Sequence, residues 1–181
     1  DEPKPGAQAA LAALRASGKR VVMISGDNQG AANAMGRRLG LNPEQGEVLA
    51  DVLPGDKAAK IAELKAQGHI VCMVGDGVND APALAAADVG MAMGTGTDVA
   101  MHAAGITLMR GDLALVAAAL DISSRTVAKI RQNLFWAFAY NVAGIPLAAL
   151  GYLNPVLAGA AMALSSVSVM SNALLLKRWK P

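Results

Sequence analysis

Two carboxylates stand four residues apart in the string GDGVND, residues 75–80. They are Asp76 and Asp80, with Gly75 and Gly77 around the first and Asn79 beside the second. The string follows an apolar run, HIVCMV (69–74). Upstream, VVMI (21–24) runs into Ser25-Gly26-Asp27-Asn28, and Lys57 follows ADVLPG (50–55). A hydroxyl, an ammonium and two or three carboxylates brought together suit a phosphoryl group and Mg2+. Mg2+ takes carboxylate oxygens and waters in an octahedral array. A transferring phosphoryl group needs hydrogen-bond donors and a cation. Each piece also has a plain structural reading. Gly-Asp and Asp-Gly are turn dipeptides, and Asn79-Asp80 before APAL reads as a helix N-cap with Pro82 in the first turn. The order of the pieces, each after an apolar run, favours chemistry.

A shared edge is what would bring these residues together. Apolar residues at helical spacing mark 7–18, 29–40 and 56–68, each closed by a glycine. Short β-rich runs lie at 20–25, 47–52 and 69–74, with further ones at 89–93 and 106–109. Strands alternating with helices of about ten residues predict a parallel sheet with helices on its faces, an α/β fold. The runs are nearly all apolar, as strands buried on both faces are. Ligands of such sheets bind beyond the carboxyl ends of the strands. The loops at Ser25–Asn28 and at GDGVND are therefore expected at one edge, with Lys57 within reach. GTGTD (94–98) lacks the third glycine of a dinucleotide fingerprint. It reads as structure, with Thr97 capping a helix that starts at Asp98.

The composition divides the chain. It has 181 residues and a net charge of +2, and a mean hydropathy of +0.36. All 14 acidic residues lie between Asp1 and Asp121, and all six aromatics between Phe135 and Trp179. The single cysteine, Cys72, excludes a disulfide framework and is expected to be a buried structural thiol. His69 and His102 lack metal-ligand spacing. The small charge and the absence of interleaved basic and aromatic residues argue against nucleic acid.

The back of the chain holds two uncharged stretches, Leu134–Leu153 of 20 residues and Val156–Leu176 of 21. Each is long enough to cross roughly 30 Å of hydrocarbon as a helix. Arg125, Lys129 and Arg131 precede the first; Lys177, Arg178 and Lys180 follow the second. Asn154-Pro155 between them is a neutral turn, so both outer ends are expected in the cytoplasm. Trp136, Tyr152 and Trp179 are expected near the membrane interfaces. A buried hairpin in a soluble protein is the alternative. Gly144 and Pro146 predict a loosened or kinked middle in the first helix. Polar groups in hydrocarbon are costly, so Tyr140, Asn141, Ser165, Ser166, Ser168 and Asn172 are expected to face protein. Packing through serines and small residues is the plain reading for Ser168 and Asn172. The expected division is 1–115 for the α/β part, 116–133 as a connecting helix, 134–176 for the spans and 177–181 as a tail.

These residues resemble a known family. Ser25-Gly26-Asp27, then Lys57, then GDGVNDAPAL resemble motifs two, three and four of the haloacid dehalogenase superfamily. The longer string VGDGVNDAPALAAADVGMAMGTGTDVA (74–100) resembles the P-type ATPases, in particular their heavy-metal branch. The resemblance implies a HAD-like sheet, the second part of a phosphorylation domain, followed by the last two transmembrane helices. It implies that Asp76 ligates Mg2+ and that Asp80 supports the site and its lysine. It implies that Lys57 contacts phosphoryl oxygens, and that Ser25, Gly26, Asp27 and Asn79 help hold the phosphate. Ser25 stands where the wider family commonly has Thr, and keeps the hydroxyl. Tyr140-Asn141 and Met162-x-x-Ser165-Ser166 are similar to signatures of copper(I) exporters, and a thioether suits Cu(I). The spans hold no Asp, Glu, Lys or His, which argues against a zinc or cadmium pump.

The family's phosphorylated aspartate lies in Asp-Lys-Thr-Gly-Thr, which this chain lacks; its membrane Cys-Pro-Cys is absent too. The chain is thus expected to be the C-terminal part of a multi-pass bacterial membrane pump that exports Cu(I), or also Ag(I). The pump would spend ATP with Mg2+ through an aspartyl-phosphate, and the chain alone would be inactive. Its partners would be the rest of the pump and the bilayer, not nucleic acid. The alternatives are a soluble HAD-type phosphatase, a membrane-anchored Mg2+-binding module, and a pump for another metal.

Overall fold

A computed structural model describes residues 2–152 and 154–179. The chain divides into two compact units between Ala117 and Ala118. Leu153, the last residue of the first expected span, lies outside the described residues. So do Lys180 of the basic flank and Asp1.

The first unit alternates helices and strands. The helices are α1 (Ala7–Ala16), α2 (Gln29–Arg38), α3 (Pro54–Ala66), α4 (Ala81–Ala86) and α5 (Asp98–Ala103). The strands are β1 (Met23–Ile24), β2 (Val48–Leu49), β3 (Cys72–Gly75), β4 (Val89–Met93) and β5 (Ile106–Leu108). All strand pairs are parallel, but they form two sheets, β1-β2 and β3-β4-β5. β1 and β2 are shorter than the apolar runs predict, their pairing covering only Met23 with Val48 and Ile24 with Leu49. Ile24 of β1 packs against the core cluster that holds Met73 of β3. The two sheets are therefore neighbours. Among the described residues, the outer edges of β1 and β3 carry no strand.

The main core joins Ile61 of α3, Met73, Ala83 and Leu84 of α4, Ala92 of β4 and Ala100 of α5. Ile61 and Leu84 are 2% exposed, each contributing about 2–3 kcal/mol by burial. Cys72 differs from expectation: the residue is exposed. It precedes Met73, and neighbouring strand residues point to opposite faces, so the buried Met73 leaves Cys72 on the uncovered face. The surrounding chain still desolvates the thiol and pushes its pKa up.

The second unit holds most of α6 (Ala114–Ala149) and all of α7 (Pro155–Leu174), which a 3-10 turn extends over Leu175–Arg178. α6 is one helix of 36 residues, so the connecting segment and the first expected span are continuous. Pro146 consequently lies in the last turn instead of mid-helix. Gly151, at a φ of 75°, follows the helix end in the left-handed conformation that closes many helices. Asn154 then caps α7, accepting from Val156 N at 2.9 Å, with Pro155 in the first turn. Among the described residues, one helix is long and apolar enough to cross a membrane, Pro155–Arg178. The first expected span falls short because α6 ends at Ala149, so an 18-residue length of this helix must reach back to the polar Gln132 and Asn133. No α7 residue is buried.

Polar contacts fasten α6 to α7 at one end. Lys129 Nζ donates to Asn172 Oδ1 at 2.7 Å, and Asn172 Nδ2 donates to Asn133 Oδ1 at 2.8 Å. Trp179 Nε1 and Arg125 Nε both donate to Asp121 Oδ2, at 2.7 and 2.8 Å. The indole first, then the guanidinium, hold the Asp121 carboxyl below its ordinary pKa. Trp179, expected at a membrane interface, is engaged with a carboxylate two turns before Lys129.

Candidate functional site

GDGVND begins where β3 ends. A 3-10 turn over Val78–Asp80 leads into α4, with Pro82 in its first turn. Asp80 is not a side-chain cap for α4. Its carboxylate turns back instead. Oδ1 accepts from Lys57 Nζ at 2.7 Å, and Oδ2 accepts from the Asp76 and Gly77 N–H groups at 3.3 Å each. The Lys57 and Asp80 side chains are 16% and 13% exposed, so this ion pair is largely shielded from water. Lys57 reaches it from the first turn of α3.

Asp80 therefore has its charge and both oxygens occupied, whereas Asp76 is exposed. No hydrogen bond or ion pair engages the Asp76 carboxylate among the described residues. That donor set fits Mg2+, which is commonly held by one or two carboxylates with waters and phosphate oxygens completing the shell. No group of three or more His, Cys, Asp or Glu side chains is gathered for a metal among the described residues. Asp76 would be the direct ligand. Asp80 would hold Lys57 and shape the turn.

Two glycines let the loop close. A Cβ on Gly75 would stand 2.8 Å from Asp80 Cβ and 2.9 Å from Asp80 Oδ2. A Cβ on Gly96 would meet the Asp76 carbonyl oxygen, and would stand 2.9 Å from Asp76 Cα and from Met93 O. GTGTD thus buttresses GDGVND: Thr97 N donates to Asp76 O at 2.9 Å. Thr97 also caps α5, accepting from Ala100 N at 3.3 Å, as the sequence predicts. The buttressing of Asp76 by Gly96 and Thr97 is absent from the sequence reading. Its only signal was two glycine-rich strings at successive strand ends.

The second loop follows β1. Ser25 Oγ donates to Asp27 Oδ2 at 2.9 Å and accepts from Asp27 N at 3.1 Å. Asp51 N donates to Asp27 O and Val52 N to Ser25 O, at 2.8 and 3.0 Å. Gly26 and Asp27 are exposed. β1 and β3, in separate sheets, each carry their loop at the carboxyl end. No hydrogen bond joins Ser25 or Asp27 to Lys57, Asp76 or Asp80, and Asn79 is exposed without a recorded partner among the described residues. Asp88, at the other end of β3–β4, is structural. Its Oδ2 accepts from Val71 N at 2.8 Å and its Oδ1 pairs with Lys65 at 3.2 Å.

The residues expected along the metal path are not gathered. Asn141 Nδ2 donates to Ala137 O at 2.8 Å, and Ser166 Oγ to Met162 O at 3.1 Å. Ser168 Oγ donates to Leu164 O at 2.7 Å. Tyr140 and Met162 are exposed and Ser165 is half-buried. The Asn141 amide and the Ser166 and Ser168 hydroxyls thus each satisfy a carbonyl of their own helix. No contact joins Tyr140 or Asn141 to Met162, Ser165 or Ser166 among the described residues.

A family model of haloacid dehalogenase-like hydrolases matches residues 1–88. A copper-exporting P-type ATPase of Staphylococcus aureus is 56% identical over 180 residues, covering 99% of this chain and 22% of the relative. One from Staphylococcus haemolyticus is 55% identical with the same coverage. The chain thus spans about a fifth of the length of the curated relatives it matches. A crystal structure of a zinc-transporting PIB-type ATPase in its E2.Pi state superposes with a TM-score of 0.88 at 37% identity. The superposition covers 97% of this chain and 28% of that one. Agreement this deep in sequence and in fold, reaching from the strand loops through the apolar helices, means that the chain belongs to the heavy-metal branch of the P-type ATPase family.

Proposed function

We propose that the chain supplies the Mg2+ and phosphate half-site, and part of the membrane metal path, of an ATP-driven Cu(I) exporter. The observation that carries this reading is the division of labour between two carboxylates. Asp80 is spent on Lys57 and two backbone N–H groups, while Asp76 stays free at the end of β3. Bound there, Mg2+ would neutralise charge on a transferring phosphoryl group. Lys57, held by Asp80, presents its remaining N–H donors to phosphoryl oxygens. Ser25, Gly26 and Asp27 offer a hydroxyl and backbone donors from the neighbouring strand end, and Asn79 a side-chain amide. The aspartate to be phosphorylated would come from the rest of the protein. The uncovered edges of β1 and β3 are where a further parallel strand would carry it into the site.

Copper is favoured over zinc as cargo. Identity to the copper exporters is 55–56%, against 37% to the zinc transporter, and neither apolar stretch carries a charged or imidazole side chain. The soft donor would be Met162, with Tyr140, Asn141, Ser165 and Ser166 beside the path. Their outward exposure suits helices that await neighbours from the same protein. Ag(I), another soft monovalent ion, would use the same donors. The unburied α7 supports placement in a bilayer, with the basic flanks and the first unit on the cytoplasmic side.

The test is a graft. This chain replaces the corresponding segment of a full-length copper-exporting relative, and Cu(I)-stimulated ATP hydrolysis and acid-stable phosphoenzyme are measured. The graft is expected to be active. Asp76→Asn in it is expected to lower phosphorylation by on the order of a hundredfold or more, the effect of losing a metal-holding carboxylate. A folded graft that binds ATP yet ignores Cu(I) in favour of Zn2+ would overturn the cargo. Undiminished phosphorylation in Asp76→Asn would overturn the site.

A further inference from the structure

The second unit collects its charge at one end. From residue 118 onward the chain has six basic residues and one acid, Asp121. Asp121 is already occupied: its Oδ2 accepts from both Arg125 and Trp179. That contact ties Trp179, the residue directly after Lys177 and Arg178, to α6. Lys129 is tied to Asn172 and fixes the level at which the two helices meet. Arg131 comes two residues later, about 200° further round the helix, which turns it away from α7. Arg131, Lys177 and Arg178 are exposed. No carboxylate pairs with them among the described residues. The opposite end of the hairpin, Gly151–Pro155, bears no charge.

We propose that this basic end is a binding surface for the phosphate headgroups of anionic phospholipids. The proposal rests on the membrane reading above and adds the class of lipid. Three unpaired cations surround the ends of helices whose remaining surface is apolar, and such clusters beside a membrane helix attract anionic headgroups. The Asp121 contact has a defined part in it. By taking up the only acid and holding the tail against α6, it removes repulsion and gathers cations from both ends of the sequence. Trp136 lies five residues beyond Arg131, about 7.5 Å further along α6, and is 53% exposed. It is a built-in reporter for the acyl chains below that end.

The experiment uses the intact chain in vesicles of phosphatidylcholine with a minority of phosphatidylglycerol. Flotation reads insertion. Quenching of Trp136 and Trp179, the two tryptophans, by brominated phosphatidylglycerol, against brominated phosphatidylcholine, reads local preference. The expected result is stronger quenching by the anionic lipid, weakening with salt. R131Q/K177Q/R178Q is expected to abolish the preference while still floating, with a loss of roughly fivefold per charge at low salt. K177Q/R178Q, which leaves α6 untouched, is expected to lose part of it. Failure of the unaltered chain to float in any vesicle would sink the membrane reading and this proposal together. Flotation with equal quenching by both lipids would overturn the proposal alone. A preference retained in both variants would overturn it as well, by placing the lipid contact elsewhere.

Discussion

Replacing Gly96 by alanine tests whether GTGTD positions Asp76. The added Cβ would stand 2.9 Å from Asp76 Cα and from Met93 O, and would press on the Asp76 carbonyl oxygen. All three are backbone atoms, so no rotamer change relieves them, and the loop must move by about an ångström to restore ordinary contact near ~3.5 Å with the Asp76 carbonyl oxygen. That movement strains two hydrogen bonds, Thr97 N to Asp76 O at 2.9 Å and Gly96 N to Met93 O at 2.8 Å. Overpacking costs about 1–3 kcal/mol, and a lost hydrogen bond about 1 kcal/mol. The expected destabilisation is therefore about 2–4 kcal/mol. At about 4 °C per kcal/mol for a unit of this size, melting falls by roughly 8–16 °C. Gly105→Ala is the matched control, since a Cβ there meets nothing within 4 Å; it should change stability by less than about 0.5 kcal/mol. Scanning calorimetry of the detergent-solubilised chain compares the two. Melting of Gly96→Ala within about 2 °C of Gly105→Ala would refute the buttress.

Removing Lys57 strands a shielded carboxylate. Lys57→Met is expected to cost about 2–3 kcal/mol in urea unfolding, and Lys57→Met with Asp80→Leu less than the sum of the single changes by about 1 kcal/mol or more; additive effects would dissolve the pair. Asp88 has its carboxyl held below the ordinary value, first by the Val71 N–H and then by Lys65. Its contribution is full above pH ~4, the ordinary carboxylate range, and disappears as pH falls through the lower folded value. Asp88→Asn should therefore lower stability at neutral pH and flatten the acid limb; an unchanged acid limb would contradict the assignment. Met162→Leu preserves volume and removes the sulfur, so a grafted pump should fold normally and lose much of its Cu(I)-stimulated turnover. Ser168→Ala should leave turnover nearly unchanged, and equal effects would place Met162 among residues that only pack.

Much of the first unit was readable because its apolar runs are short, separate and bounded by glycines. Gly18, Gly40 and Gly68, read as helix stops, all adopt positive φ. The strand loops were legible because two acidic glycine-bearing strings each follow a short apolar run, with Lys57 between them. The two-sheet division was not, because pairing depends on which edges find partners, and no residue type records that. The exposure of Cys72 escaped notice for a related cause: an apolar run does not say which face lacks a covering helix. α6 was read as two segments because its polar stretch before Leu134 breaks the apolar pattern, although nothing there breaks a helix. The contacts of Asp121 with Trp179, 58 residues apart, leave no periodic trace.

The uncovered edges of β1 and β3 bear on how this polypeptide behaves when produced by itself. Each edge presents unpaired N–H and C=O groups to whatever extended backbone comes near. Within a larger protein an internal strand would cover them as it folds. In isolation a second copy is the nearest supply, and the exposed Cys72 belongs to β3, one of these edge strands. Recombinant material should then grow into oligomers as concentration rises, and disulfide-linked dimers should appear among them in air. A synthetic peptide of the right strand sequence, added during refolding, would act as a solubility factor for this segment.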